Sequence, residues 1–168
     1  LDVPVDLGGG IIAHLLASHP TPPTFDGAEN KNGKRNYDEI RFWADYIDPA
    51  RSAYILDDAG GRGGLPAGAR FVVEGDQNAD PNDGDTLTGA ARQLTQHPLI
   101  NASFIPSSGA TGGGANFSTA NNGQTGNRIH DTAAFSGGLR VDYVLPSKAG
   151  FSVFNGAVFW PGPSDPLR

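Results

Sequence analysis

Cysteine is absent, which excludes disulfide staples, thiolate nucleophiles and thiolate metal ligands. That absence leaves the compartment open. Methionine is absent too, and the chain opens on Leu1, so the expectation is a processed chain or a piece of a longer one. A removed signal peptide and a cut precursor are both compatible with it. No run is apolar enough to span a bilayer, and no signal peptide is visible in the sequence. Positive charge is scarce: 12 Lys and Arg against 18 Asp and Glu give a net charge of −6. Such a chain does not attract nucleic acid as a whole, which weakens a processive nuclease reading. Hydrophobic residues make up only 38% and aromatics 9%, somewhat low for a compact globule.

Glycine and proline are plentiful, at 24 and 13 of 168 residues, so loops occupy much of the chain. The surplus glycine lies in 107–138, which suggests an ordered core carrying a long insertion. The length suffices for one domain with a core.

One stretch stands out, Arg70-Phe71-Val72-Val73-Glu74-Gly75-Asp76-Gln77-Asn78. It reads as an apolar strand that stops at a glycine and presents Asp76 and Asn78. At spacing two on an extended backbone these face the same way. A carboxylate can hold a metal ion or orient a water, and an amide can donate to an oxyanion. Continuing to Asp80, the stretch fills the first, third and fifth places of a calcium loop. Pro81 where glycine is needed and Leu87 where glutamate is needed exclude an EF-hand.

Upstream, Val3 to Leu7 alternates as a half-buried strand, and glycines 8–10 form a turn. Ile11 to Ser18 is nearly continuously apolar, as a central strand covered on both faces would be. It ends at His19, before Pro20-Thr21-Pro22-Pro23, which cannot continue a ladder. His19 is thus placed at a strand end, where loops build sites; the alternative is a turn histidine with no chemistry. Residues 24–38 read as a polar surface loop, and Lys31, Lys34 and Arg35 are its positive cluster. Arg35 could clamp a phosphate with Asn36 beside it, or belong to a solvated charge run. A helix follows, capped by Asn36 or Asp38, with Ile40, Trp43, Ala44 and Ile47 as its buried face, ending near Asp48-Pro49.

Residues 57–69 read as a glycine-rich loop without Walker spacing. Thr88 to Leu94 reads as a short helix, and 101–128 as an insertion rich in Gly, Ser, Asn and Thr. Leu139 to Leu145 is a strand with Leu139, Val141, Tyr143 and Leu145 on one side. Asp142 inside it is expected to be paired by Arg140 or to orient a histidine, since a buried unpaired carboxylate costs several kcal/mol. Phe151–Phe154 and Ala157–Trp160 read as two last short strands.

Four pieces now line up: Ser18-His19-Pro20 after an apolar strand, the helix from Asn36 to Ile47, Gly75-Asp76-Gln77-Asn78, and Arg140-Val141-Asp142-Tyr143. Together they resemble the endonuclease/exonuclease/phosphatase family, with its DNase-I-like fold. Ser18-His19-Pro20-Thr21-Pro22-Pro23, Arg35 to Ile47 and Val158-Phe159-Trp160-Pro161 are similar to a bacterial, often secreted branch of it. The resemblance covers most of the chain except 101–127.

It implies an α/β (α+β) class, as part of a two-sheet sandwich flanked by helices. Residues 1–168 would be the C-terminal portion of a single such domain, with a Gly/Ser/Asn-rich loop at 101–127. It implies a phosphomonoester or phosphodiester hydrolase that uses metal-activated water, with Mg2+ as the ion, or Mn2+ or Ca2+. By resemblance Asp76 binds metal or orients the nucleophile, Asn78 donates to the phosphoryl oxygens, His19 contacts the scissile phosphate and Asp142 is the strand aspartate near the site. Arg35 and Asn36 are the substrate-binding candidates. A family glutamate on an earlier strand and a terminal Ser-Asp-His have no counterpart; Ser164-Asp165-Pro166 is a superficial echo. The expectation is therefore a chain inactive alone, completed by a complementary chain or other subunit, and an extracellular or periplasmic location. The alternative is a degenerate, non-catalytic module of this fold that serves an assembly.

Overall fold

The computed structural model describes residues 1–116 and 123–167. Its centre is a four-stranded mixed sheet in sequential order. β1 (Asp2–Asp6) runs antiparallel to β2 (Ile12–Ala17) across the glycine turn. The helix α1 (Lys31–Tyr46) then carries the chain back, and β3 (Arg70–Asp76) lies parallel to β2. The short helices α2 (Arg92–Thr95) and α3 (Gly113–Asn116) follow. β4 (Asp142–Pro146) closes the sheet antiparallel to β3.

Strand alternation and register sort the sheet into two faces. Leu16, Phe71, Val73, Tyr143 and Leu145 share one face and are buried with Ile40, Trp43, Ala44 and Ile47 of α1 and Leu94 of α2. This is the core, and the expected buried stripe of the helix supplies one side of it. On the other face Val3 pairs with Leu15, Leu15 with Val72, and Glu74 with Val144. That face is open: Val3 and Val144 remain 45% and 69% exposed. On this face β2 itself has Ala13 buried and Leu15 and Ala17 half-buried, so its cover there is partial, less than the two-sided cover that its composition suggested.

Three further expectations are corrected. The helix begins at Lys31 rather than near Asn36, so the second half of the expected surface loop 24–38 is helical. Its first turn is held from a distance: Asp26 accepts from the Asn32 N–H, and Asn32 Nδ2 donates to Thr24 O at 2.8 Å. The buried stripe also runs on through Gly33 and Asn36, residues that look like loop in a sequence. Asp142 is exposed on the open face and has no ion pair with Arg140, whose guanidinium stacks 4.7 Å from the Tyr143 ring centroid. Strand alternation puts Asp142 opposite the core, so no buried charge needs pairing. Finally, 151–154 and 157–160 are not strands. Ala157 makes one bridge to Ser107, while Phe154 and Phe159 are exposed and no strand among the described residues lies alongside them. Of the expected insertion at 101–127, residues 117–122 lie outside the described residues.

Candidate active site

The two parallel strands β2 and β3 end side by side, and the candidate residues gather where they end. Gly75 makes this possible. Its φ is +121°, and a Cβ there would stand 2.2 Å from Ser18 O. Only glycine lets β3 pass so close to the segment that carries His19. Ser18 N–H in turn donates to Glu74 O at 3.1 Å, extending the pairing by one residue.

Asp76 follows at the end of β3. Its Oδ2 lies 3.5 Å from His19 Nε2, an ion-pair distance once the imidazole is protonated. Its Oδ1 accepts the Asn78 N–H at 2.7 Å, closing a local turn in which Asn78 takes φ 48°. The expected extended backbone with Asp76 and Asn78 facing one way is therefore corrected: left-handed backbone at Asn78 breaks the alternation. The Asn78 side chain reaches back instead, and Nδ2 donates to Pro20 O at 3.0 Å. One Nδ2 proton remains for a further acceptor. Asp142 stands opposite Asp76 in the β3–β4 register. Its N–H is fixed by Thr132 Oγ1 at 3.0 Å. His19, Asp76, Asn78 and Asp142 thus form one neighbourhood, at the rim of the open sheet face.

Beneath it lies a hydrogen-bonded lock of Gln77, Ser18 and Asn36, which gives Asn36 a structural place rather than the substrate-binding one expected of it. Buried Gln77 pairs with Ser18 through Oγ to Oε1 at 3.1 Å and Nε2 to Oγ at 2.8 Å. Its N–H donates to Val141 O at 2.8 Å. Asn36 is fully buried in α1, and its Nδ2 donates to Thr21 O at 3.0 Å and to Gln77 O at 2.9 Å. The helix, the His19 loop and the Asp76–Asn78 turn are joined by this one amide. The structure thus sets Asn36 beneath the site, away from solvent. The only sequence signal was an asparagine placed on the buried stripe of a helix.

Arg35, one residue earlier, faces solvent with Nη2 3.4 Å from Glu39 Oε1. Glu39 also accepts from Thr21 N at 2.6 Å. Arg35 and His19 line a common cavity of about 560 Å3 beside α1. Asp76 and Asn78 are not part of that cavity's lining, so Arg35 reaches the neighbourhood from the His19 side.

Nearby, Asp80 caps its own turn. Oδ1 accepts from Asn82 N at 2.7 Å and Asp83 N at 3.0 Å, and Oδ2 from Arg140 N at 2.7 Å. Its oxygens serve backbone, in accord with the failed calcium-loop pattern. Asp131 is buried close by. Burial, then the Asp80 and Asp83 carboxylates, push it up to about 6, against the opposing pull of Arg128.

The site thus sets a strand-end histidine against a Gly-Asp-x-Asn turn, with an aspartate across the register. The family model for the endonuclease/exonuclease/phosphatase family matches residues 5–165. The chain belongs to this family. Its mixed sheet with few helices is consistent with part of a DNase-I-like fold. No curated protein and no solved structure matches the chain.

The family is generally dependent on a divalent metal, and the donors present here meet that need only in part. Asp76 has one carboxylate oxygen in use by Asn78 and one turned to His19. No group of three or more His, Asp or Glu among the described residues is arranged to hold a metal ion. These residues do not by themselves complete a cation site.

Proposed function

We propose that this chain is part of a phosphoesterase that cleaves a phosphomonoester or phosphodiester with water and depends on a divalent cation. Magnesium is the ion we favour, with Mn2+ and Ca2+ as substitutes. The observation that carries this reading is the joining of His19, Asp76 and Asn78 by β2 and β3 at the rim of the open face. In it, Asn78 Nδ2 and His19 donate to the phosphoryl oxygens. Asp76 orients His19 or the attacking water and is the cation ligand that this chain offers. Asp142 adds negative charge across the register, and Arg35 binds substrate phosphate from the His19 side. Asn36 then acts by holding these elements in place. Overall, the water oxygen bonds to phosphorus, the ester P–O bond breaks, and the alcohol oxygen takes a proton.

The chain alone is inactive in this reading. The open face at Val3, Leu15, Val72 and Val144 is covered by a complementary chain or other subunit, which brings further cation ligands to the rim. The likeness to a secreted bacterial branch supports an extracellular or periplasmic location. A second reading, a non-catalytic module that binds partners through the same face, is supported by the exposure of Val3 and Val144.

Paramagnetic Mn2+ tests the cation assignment on this chain. With phosphate present, Mn2+ is expected to broaden the amide signals of Asp76 and Asn78 first, and Asp76→Ala is expected to abolish that broadening. Broadening centred on Asp83 and Asp85, unchanged in Asp76→Ala, would sink the assignment.

A further inference from the structure

On the Asn78 side of the site lies a second cavity of about 300 Å3. Its floor is apolar, built from Leu139 and Val141. Pro22 and Pro23 stand along it, and Phe25 and Phe135 stand at its mouth. Phe25 is the unusual member. Its side chain is 99% exposed, and its backbone sits at φ 61°. A bulky residue in the left-handed region costs about 1–3 kcal/mol. A ring in water returns nothing to the core, so fold stability does not account for Phe25. Such strain on an exposed loop next to a site is a mark of function.

The charge around this cavity restricts what enters it. Asp80, Asp83 and Asp85 line it and no Lys or Arg does. An anionic group is therefore repelled there, while an uncharged ring meets apolar walls with two phenylalanines among the lining residues, both exposed and so available to it. The volume lies at the small end of ligand pockets, about 300–1,000 Å3, which suits one ring or two fused ones. Asn78 lines the same cavity, so a group seated there borders the residue to which the proposed function gives the phosphoryl oxygens.

We propose that this cavity receives an aromatic ring on the alcohol portion of the substrate, with Phe25 and Phe135 as the residues that select it. The proposal rests on the phosphoester reading above. It deepens that reading by naming the substrate class: phosphoesters of an uncharged aromatic alcohol.

The test is a titration of the native material, this chain together with what covers its open face, with magnesium present, against inorganic phosphate, methyl phosphate, phenyl phosphate and phenol, read by dissociation constants and by amide shifts of this chain. Phenyl phosphate is expected to bind about tenfold more tightly than methyl phosphate and to shift Phe25, Ser136 and Asn78 together. Phe25→Ala is expected to remove most of that preference and leave inorganic phosphate unaffected; with its side chain in solvent, this variant should fold normally. Equal binding of phenyl and methyl phosphate, with shifts confined to His19 and Asn78, overturns the ring pocket and leaves the phosphoester reading standing. Phenol binding at Phe25 and Phe135 with no response to any phosphate overturns the phosphoester reading and keeps a ring-binding cavity. A preference that survives in both Phe25→Ala and Phe135→Ala overturns the assignment of these residues.

Discussion

At the scale of single residues, Asn36 and Asp131 show how one side chain can hold or strain a site. Asn36 donates both amide protons to buried carbonyls on two other segments. Asn36→Ala leaves Thr21 O and Gln77 O without that donor, and is expected to cost about 2–4 kcal/mol. Urea unfolding checks this; a loss below about 0.5 kcal/mol would mean that water replaces the amide freely. Asp131 behaves in the opposite sense. Its carboxyl titrates near 6 in the folded chain and near 3.8 when unfolded, because burial and then Asp80 and Asp83 disfavour its charge. Its contribution to stability is complete below about pH 3.8 and is lost as pH rises through about 6. Asp131→Asn removes that penalty. The variant is expected to be more stable than the parent at pH 7.5 by about 1 kcal/mol, with the gap closing toward pH 4. Thermal melts at the two pH values decide it, and an equal gap at both would show that the charge is not the cause.

At the scale of elements, the close approach of β2 and β3 sets the site. Gly75→Ala places a Cβ against Ser18 O in a backbone conformation that alanine avoids. The expected loss is about 2–4 kcal/mol, together with altered His19 and Asp76 resonances. Unchanged stability and spectra would show that the two strand ends are less tightly fitted than their geometry implies. These strands were readable in the sequence because apolar alternation and the glycine stop are local signals. The core side of β4 and of the segment that leads into it was readable from Leu139, Val141, Tyr143 and Leu145 for the same reason, and all four are buried, although the strand itself starts only at Asp142. The start of α1 was not, because Asp26 caps it from outside the helix and its stripe continues through Gly33 and Asn36. The turn at Asn78 was misread because an Asx turn depends on backbone sign, which composition does not carry. Phe151 to Trp160 looked like strand because aromatic, β-branched runs favour it, yet a strand needs a neighbour to pair with.

At the scale of the whole molecule, the helices among the described residues cover one face of the sheet and leave the outer strands of the other open. The candidate residues sit on the rim of that open face, so whatever covers the face also borders the site. His19, Asp76, Asn78 and Asp142, expected together from the sequence, do meet at this rim, while the described donors stop short of a full cation site. No helix of the described residues is long and apolar enough to cross a membrane. The central claim is that Asp76 serves a cation-dependent cleavage of phosphoesters once the open face is covered. The most direct measurement is the subunit composition of the native material together with its hydrolysis of an aryl phosphodiester, with magnesium and with chelator, for the parent and for Asp76→Ala. The account predicts a companion covering the sheet, turnover that needs the cation, and a loss of at least about a hundredfold in Asp76→Ala. Native material that contains no companion and gives no turnover with Mg2+, Mn2+ or Ca2+, or turnover that Asp76→Ala leaves intact, would contradict it.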